Sequence, residues 1–205
     1  MDSPYLVVKQ FENELAKFCG SPYAITVNSC SMALFLCCKY ARVSEYDEID
    51  VPKFTYPSAA AAVVNAGGRI NFVDNDWQAT TMMYSLYPSN IWDSAKVMCK
   101  GMYKQNTFMC LSFHAKKIIP IGRGGAILTD SQEAYEWFKC ARFDGRHEKP
   151  LHEDTLAFAG WNCYMSNYDA ARGLELMQWI KDENYCEEDP YQDLSRYDFY
   201  KRANR

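Results

Sequence analysis

The sequence predicts an α/β protein in which helices cover both faces of a mostly parallel sheet. Two observations indicate this fold class. Segments with apolar residues at helical spacing alternate with short runs of apolar and β-branched residues. Such alternation is typical of β-α-β units, whose strands pair in parallel. The chain has 205 residues and is 48% hydrophobic, which suits one globular body with a large core.

The first half of the chain carries clear start and stop signals. A helix is predicted over 10–18, because Phe11, Leu15 and Phe18 share one face and Gly20 follows as a stop. Gly67 and the glycine after it close a later helix in the same way. The other elements predicted in this half are strands over 24–27, 49–54 and 69–73 and helices over 32–40 and 59–66.

The second half continues the pattern and then changes in composition. Strands are predicted over 90–92, 108–113 and 126–129, and helices over 132–142 and 167–180. After Asp182 the chain becomes acidic and rich in tyrosine. We therefore predict one domain over 1–182, followed by a peripheral C-terminal tail over 183–205.

Composition argues against several classes of function. The net charge of −4 gives no basic face for nucleic acid. The first five residues contain neither a basic start nor an apolar signal core, and no apolar run is long enough for a membrane span, so we expect a cytoplasmic protein. The nine cysteines include no Cys-x-x-Cys pair and there are three histidines, so we expect reduced cysteines packed in the core and no zinc site.

Ligands of such sheets bind beyond the carboxyl ends of the strands, and two of these positions carry suggestive residues. Ser29, Cys30 and Ser31 stand where a helix begins, so their backbone amides could bind a phosphate. The alternative is an ordinary N-cap serine. Asp93 follows an apolar pair and could present a carboxylate to a ligand, or it could be a turn or cap residue.

Two further positions have similar alternatives. Tyr56 lies just beyond the second strand, where its ring could cover a flat ligand or could be a turn or core aromatic. Lys116 and Lys117 stand between a strand and the glycine-rich turn 122–125, where a lysine could bind a cofactor. The alternative is a basic loop between two strands, with the glycines forming a flexible turn.

Short motifs of known type follow one another over roughly residues 10–180. They are Phe11-Glu12-Asn13-Glu14-Leu15-Ala16, Val27-Asn28-Ser29-Cys30-Ser31-Met32-Ala33-Leu34, Val51-Pro52-Lys53-Phe54-Thr55-Tyr56, Phe72-Val73-Asp74-Asn75-Asp76, Asp93-Ser94-Ala95, Ser112-Phe113-His114 with Lys117 and Gly124-Gly125, and Gly160-Trp161-Asn162 with Met165-Ser166-Asn167. In this order they resemble the sugar aminotransferases of the DegT/DnrJ/EryC1/StrS type. The resemblance implies the α/β/α sandwich of fold-type I enzymes and the cofactor pyridoxal 5′-phosphate (PLP).

The resemblance implies two catalytic residues. Lys117 would bind the cofactor aldehyde covalently and move the proton during amino transfer. Lys116 is its rival, and the spacing to Gly125 favours Lys117. Asp93 would pair with the ring nitrogen of the cofactor and keep it protonated. No role follows for His114.

The resemblance also implies the residues that bind the cofactor. Tyr56 would stack on the ring, while Ser112 and the backbone of Cys30 and Ser31 would hold the phosphate. Asn162 would reach the phosphate from a neighbouring subunit, so a homodimer with shared active sites is expected.

Several features depart from the family pattern. The chain is short between Asp76 and Asp93, and no counterpart of a small C-terminal domain follows residue 180. Cys30 replaces a glycine, Lys96 replaces a glutamine or histidine, and Tyr164 replaces an arginine of the family.

The expected activity is transfer of an amino group, from an amino-acid donor such as glutamate, to a keto group of a nucleotide-linked sugar. One alternative is a reduced, catalytically inactive member that acts as a dimeric binding or structural protein. The other is a PLP-dependent sugar dehydratase, against which retention of Lys117 argues.

Overall fold

The computed structural model describes residues 4–201, and each helix and strand predicted above is present there, most with ends shifted by a few residues. The helices are α1 (Leu6–Cys19), α2 (Cys30–Tyr40), α3 (Pro57–Ala66), α4 (Trp77–Thr80), α5 (Gln132–Ala141), α6 (Asn167–Met177) and α7 (Asp198–Lys201). The strands are β1 (Tyr23–Val27), β2 (Glu48–Pro52), β3 (Arg69–Val73), β4 (Tyr84–Ser85), β5 (Ile91–Asp93), β6 (Phe108–Ser112) and β7 (Gly125–Thr129). Sequence patterns did not predict α4, β4 or α7. Among residues 4–201, no helix has both the length and the apolar character needed to cross a membrane.

The main sheet has the strand order β1-β7-β6-β5-β4, and β2 pairs with β3 beside it. Only the β5/β6 and β2/β3 pairs are parallel, whereas β1/β7, β6/β7 and β4/β5 are antiparallel. The expectation of a mostly parallel sheet was therefore wrong, although the α/β class is confirmed. The physical reason is that β6 reaches β7, and β4 reaches β5, without a helical crossover, which only antiparallel neighbours permit.

Helices cover both faces of the main sheet. Successive residues of β7 point to opposite sides: Ile127 packs in a core cluster with α2, α3 and α5, whereas Leu128 packs in a second cluster with α1. Phe11 of α1 and Ala170 of α6 belong to that second cluster and are fully buried. This alternation of strand side chains gives the three layers of an α/β/α sandwich.

The C-terminal segment packs on the body of the fold. Leu194 and Tyr200 belong to the core cluster around α2 and α3. The backbone amide of Leu194 donates to the carbonyl of Lys53 at 2.9 Å, and Tyr185 forms a β-bridge with Val97. The expectation of a peripheral tail was wrong for this segment, because Leu194 and Tyr200 are buried against the domain. The domain boundary at residue 182 stays a prediction.

Candidate functional site

A cavity of about 1270 Å³ opens where β5, β6 and the start of α2 meet the C-terminal segment. Asp93 is the last residue of β5 and Ser112 the last residue of β6, so both lie at carboxyl ends of parallel strands. Of the residues predicted for the site, those that line this cavity are Cys30, Ser31, Tyr56, Asp93, Ser112 and Lys117. The fold therefore brings together most of the predicted site.

The N-terminus of α2 lines the cavity. Ser29 is the N-cap, and its hydroxyl accepts a hydrogen bond from the Met32 amide at 3.2 Å. The amides of Cys30 and Ser31 have no acceptor within the helix, because the first N–H groups of any helix lack an intrahelical partner. Burial raises the pKa of the Cys30 thiol well above its ordinary value, so this side chain adds no negative charge. The helix end is thus suited to an anion.

Gly125 allows this helix end to lie directly against the sheet. A Cβ atom added to Gly125 would lie 2.5 Å from the Cys30 nitrogen and 2.6 Å from the Ser29 carbonyl carbon. Both are backbone atoms, which cannot rotate away as a side chain can. A glycine at the start of β7 is therefore required for the position of the α2 N-terminus.

Asp93 is a buried carboxylate held by two hydrogen bonds. Its Oδ1 accepts from the Ala95 amide at 3.0 Å, and its Oδ2 accepts from the Tyr84 hydroxyl at 3.0 Å. The Tyr84 and Thr55 hydroxyl oxygens are 2.7 Å apart, which extends the network. Burial raises the pKa of Asp93 above 3.8, and the two hydrogen bonds and the charge of Lys117 oppose that rise. A cationic partner in the cavity would stabilise the ionised carboxylate.

Both rival lysines line the cavity, on the loop that follows β6. The Lys117 amide donates to the His114 carbonyl at 2.8 Å, which closes a turn at the start of this loop. The charge of Lys117 opposes the rise that burial causes in the pKa of Asp93 and of Cys30, so its side chain lies within electrostatic reach of both. The geometry thus groups Lys117 with the carboxylate and the helix end.

Tyr56 and Ser112 lie at two edges of the cavity. Tyr56 is the N-cap residue of α3, and 61% of it is exposed, which leaves its ring free to cover a ligand. The Ser112 hydroxyl accepts from the His114 amide at 3.4 Å, a long hydrogen bond that leaves its proton free to donate. Both positions fit the expected contacts, which stay predictions.

Asn162 lies away from the cavity. Within residues 4–201 it is not part of the cavity lining, and its Nδ2 donates to Asp144 Oδ2 at 2.9 Å. It is exposed on the surface and forms a β-bridge with Phe143. A contact with the phosphate of a neighbouring subunit stays a prediction for this residue.

Sequence reasoning missed part of the cavity wall. The C-terminal segment supplies residues 187–192 to the lining, together with Leu194, Tyr197, Phe199 and Tyr200. Tyr84, the partner of Asp93, was missed as well. One sequence signal could have indicated this wall. Lys96 stands among apolar residues, and a lysine in a buried stretch requires a counterion from elsewhere in the chain.

The cavity combines three chemical groups, namely an anion-binding helix end, a buried carboxylate and a lysine amine. These groups suit a ligand with a phosphate, a basic ring nitrogen and a carbonyl carbon. Across residues 4–201, no group of three or more His, Cys, Asp or Glu side chains is placed to hold a metal ion.

Known proteins share both the sequence pattern and the fold. GDP-perosamine synthase of Escherichia coli O157:H7 is 26% identical to this chain over 85% of its residues and 58% of the relative. GDP-4-keto-6-deoxy-D-mannose 3-dehydratase of Escherichia coli O55:H7 is 26% identical over 67% of this chain and 47% of the relative. The chain thus spans about half the length of these curated relatives.

A solved structure shows the same fold. Spr1654 of Streptococcus pneumoniae, solved in a PLP form and a PMP form, superposes with a TM-score of 0.70 at 18–19% identity. The PMP-form match covers 84% of this chain and 58% of that one. A family model described as the DegT/DnrJ/EryC1/StrS aminotransferase family matches residues 3–100 and 95–196. The fold, the cavity and this match agree, and the chain belongs to the DegT/DnrJ/EryC1/StrS aminotransferase family.

Proposed function

We propose that the chain binds PLP in the cavity and transfers an amino group from an amino-acid donor to a keto group of a nucleotide-linked sugar. The observation that carries the proposal is the presence of Lys117, Asp93 and the α2 N-terminus around one cavity. Family membership supports it, as do a relative named as a perosamine synthase and a structural neighbour solved with PLP.

The residues present fit the cofactor. The amides of Cys30 and Ser31 and the hydroxyl of Ser112 would hold its phosphate, at a helix end that carries no opposing thiolate. Asp93 would face its ring nitrogen, and the amine of Lys117 would bind its aldehyde. The donor set therefore matches the phosphate, the ring nitrogen and the aldehyde of PLP, and the exposed ring of Tyr56 remains to cover its face.

When bound, the cofactor supplies an electron-accepting ring and a carbonyl carbon that exchanges amines. Once the donor's amine had displaced it from the aldehyde, Lys117 Nζ would take a proton from the carbon that bears the donor's amino group, and in the second half of the cycle it would deliver a proton to the keto carbon of the acceptor. Asp93 holds negative charge at one fixed position, because the Ala95 amide and the Tyr84 hydroxyl fix its two oxygens. Burial beside Asp93 raises the pKa of Tyr84, so its hydroxyl keeps the proton that it donates.

Two expectations on assembly and location belong to the same proposal. Asn162 is exposed, so it is free to reach the cofactor phosphate of a second copy in a homodimer. The second expectation is a cytoplasmic location.

Sugar dehydration is a second candidate, favoured by the similarity to the mannose 3-dehydratase. The presence of Lys117 in the cavity favours amino transfer instead. A third candidate is a catalytically inactive binding protein, because the chain spans about half the length of its curated relatives.

Reduction with borohydride tests the proposal. The purified protein with PLP should show a near-visible absorbance band, and peptide mapping after reduction should locate the cofactor on Lys117. Lys117→Ala should abolish the band, whereas the matched control Lys116→Ala should retain it. A cofactor adduct on another residue, or no adduct, would refute the proposal.

A second measurement separates amino transfer from the inactive binding protein. With glutamate added in the absence of borohydride, an aminotransferase should convert the bound PLP to its PMP form, and the band should disappear. A protein that binds PLP but leaves the band unchanged with every amino donor tested would be the inactive binding protein.

A further inference from the structure

A lysine side chain is fully enclosed next to the cavity. Lys96 is 1% exposed, and its Nζ donates to Gln78 Oε1 at 2.7 Å. The same Nζ lies 2.9 Å from Asp189 Oδ2. It also faces the rings of Trp77 and Tyr191, at 5.9 and 5.5 Å from their centroids. Lys96 is thus surrounded by one carboxylate, one amide oxygen and two aromatic faces.

Asp189 is the anion that makes this burial possible. A charged amine enclosed without a counterion is strongly unfavourable, so the position of Lys96 depends on Asp189. Asp189 is itself fixed: its amide donates to Gln78 Oε1 at 2.9 Å, and Tyr191 OH donates to its Oδ2 at 3.1 Å. The hydrogen bond from Lys96 lowers the pKa of Asp189, which keeps this carboxylate charged.

Residues 187–192 all line the cavity and form a strap along one of its sides. Asp189, the acidic partner of the ion pair, lies in the middle of this strap. Before it, the amide of Cys186 donates to the carbonyl of Lys96 at 2.9 Å, and after it the amide of Leu194 donates to the carbonyl of Lys53 at 2.9 Å. Between these two backbone attachments, Asp189 connects the strap to a buried side chain of the domain.

The strap faces the groups proposed for catalysis. Tyr191 lines the same cavity as Asp93 and Lys117, and the charge of Asp93 is one of the factors that raise the pKa of Tyr191. Likewise, the charge of Lys117 contributes to the lowered pKa of Asp189. Movement of the strap would therefore open the cavity on the side of Asp93 and Lys117.

We propose that Lys96 and Asp189 are positioning residues whose ion pair holds the strap against the cavity, and that the closed strap retains the cofactor. The retention part rests on the proposed function, whereas the closure of the strap does not. Neither residue takes part in the proton transfer, and both act through the position of residues 187–192.

Hydrogen exchange of the full chain without PLP tests the closure. Peptides that span residues 187–192 should exchange roughly tenfold faster in Asp189→Asn and in Lys96→Met than in the wild type, because each substitution removes one half of the ion pair. Lys96→Arg should restore wild-type protection, since a guanidinium can keep the ion pair. Asp182→Asn is the matched control: it removes an exposed pair, Lys100 with Asp182 at 3.5 Å, and should change nothing.

The release of PLP tests the retention. With PLP bound to Lys117, Asp189→Asn should release the cofactor roughly tenfold faster than the wild type or Asp182→Asn, when an excess of scavenger captures free PLP. Because Asp189 is partly exposed, Asp189→Asn is expected to fold, and it tests the retention of PLP even where Lys96→Met fails to fold.

Each outcome is decisive. Unchanged exchange of the strap in Asp189→Asn overturns the closure. Faster exchange with unchanged PLP release overturns the positioning role. A wild-type protein that forms no adduct at Lys117 refutes the proposed function, and the exchange measurement then still decides the closure by itself.

Discussion

Substitution of Gly125 by alanine should weaken cofactor binding by displacing the start of α2. The added Cβ would lie 2.5 Å from the Cys30 nitrogen, and ordinary van der Waals contact begins at 3.4 Å. The Cys30 amide therefore has to move back by about 0.9 Å, since the contacted atoms are backbone. A shift of this size removes one hydrogen bond to a charged phosphate, worth about 1.5–3 kcal/mol. We expect about tenfold to hundredfold weaker PLP binding.

The measurement is a PLP titration followed by the near-visible absorbance band, combined with thermal unfolding. Gly101→Ala is the control, because Gly101 lies outside the cavity lining and an added Cβ there would meet nothing within 4 Å. Its φ of +68° makes alanine unfavourable, so this variant should lose about 1 kcal/mol of stability with unchanged PLP affinity. Wild-type PLP affinity in Gly125→Ala would refute the assignment of the α2 N-terminus as the phosphate site.

Two further predictions concern buried charges. Because burial raises the pKa of Asp93, the folded protein binds this proton more tightly than the unfolded chain, so the free energy of unfolding falls as pH rises from about 3.8 through the folded-state pKa. Asp93→Asn should thus stabilise the cofactor-free protein at pH 7 by about 1 kcal/mol, which corresponds to a Tm rise of about 2–4 °C. The same substitution should prevent amino transfer. An unchanged or lower Tm in scanning calorimetry would contradict the prediction for stability. Glu12 and Arg142 form a buried ion pair, with side chains 5% and 2% exposed, and Glu12 also accepts from the Thr26 amide at 2.8 Å. Glu12→Gln should lower the free energy of unfolding by about 3 kcal/mol in urea titrations, and the double variant Glu12→Gln with Arg142→Met should recover part of that loss. A change below about 1 kcal/mol in the single variant would show that the ion pair contributes little to stability.

The order of helices and strands could be predicted because each element carries local signals. Gly20 and Gly67 adopt the left-handed conformation at helix ends, with φ of +74° and +107°, as their positions in the sequence indicated. Strand direction could not be predicted in this way. β1 pairs antiparallel with β7, which lies in the other half of the chain, and no local signal indicates that partner or its direction.

The residues of the candidate site likewise divide into those with local sequence signals and those without. The places of Asp93, Cys30 and Lys117 at the cavity could be predicted, because Asp93 ends a strand, Cys30 begins a helix and Lys117 lies on the loop after a strand. Tyr84 and Asp189 could not, since their roles depend on contacts formed only in the folded chain, with Asp93 and Lys96 respectively. Tertiary hydrogen bonds and ion pairs of this kind leave no pattern in the neighbouring sequence.

The buried cysteines allow transient opening of this protein to be detected by thiol labelling. Seven of its nine cysteines are buried and Cys99 and Cys186 are partly accessible. Burial raises the pKa of Cys19 and of Cys38 to about 12, so at neutral pH they hold almost no reactive thiolate. Alkylation of the intact protein would first modify the two accessible thiols. Any further thiol that is modified would belong to a molecule whose core had opened transiently to solvent. Labelling at Cys37, which is fully buried on α2 and outside the cavity lining, would report how often that helix separates from the sheet.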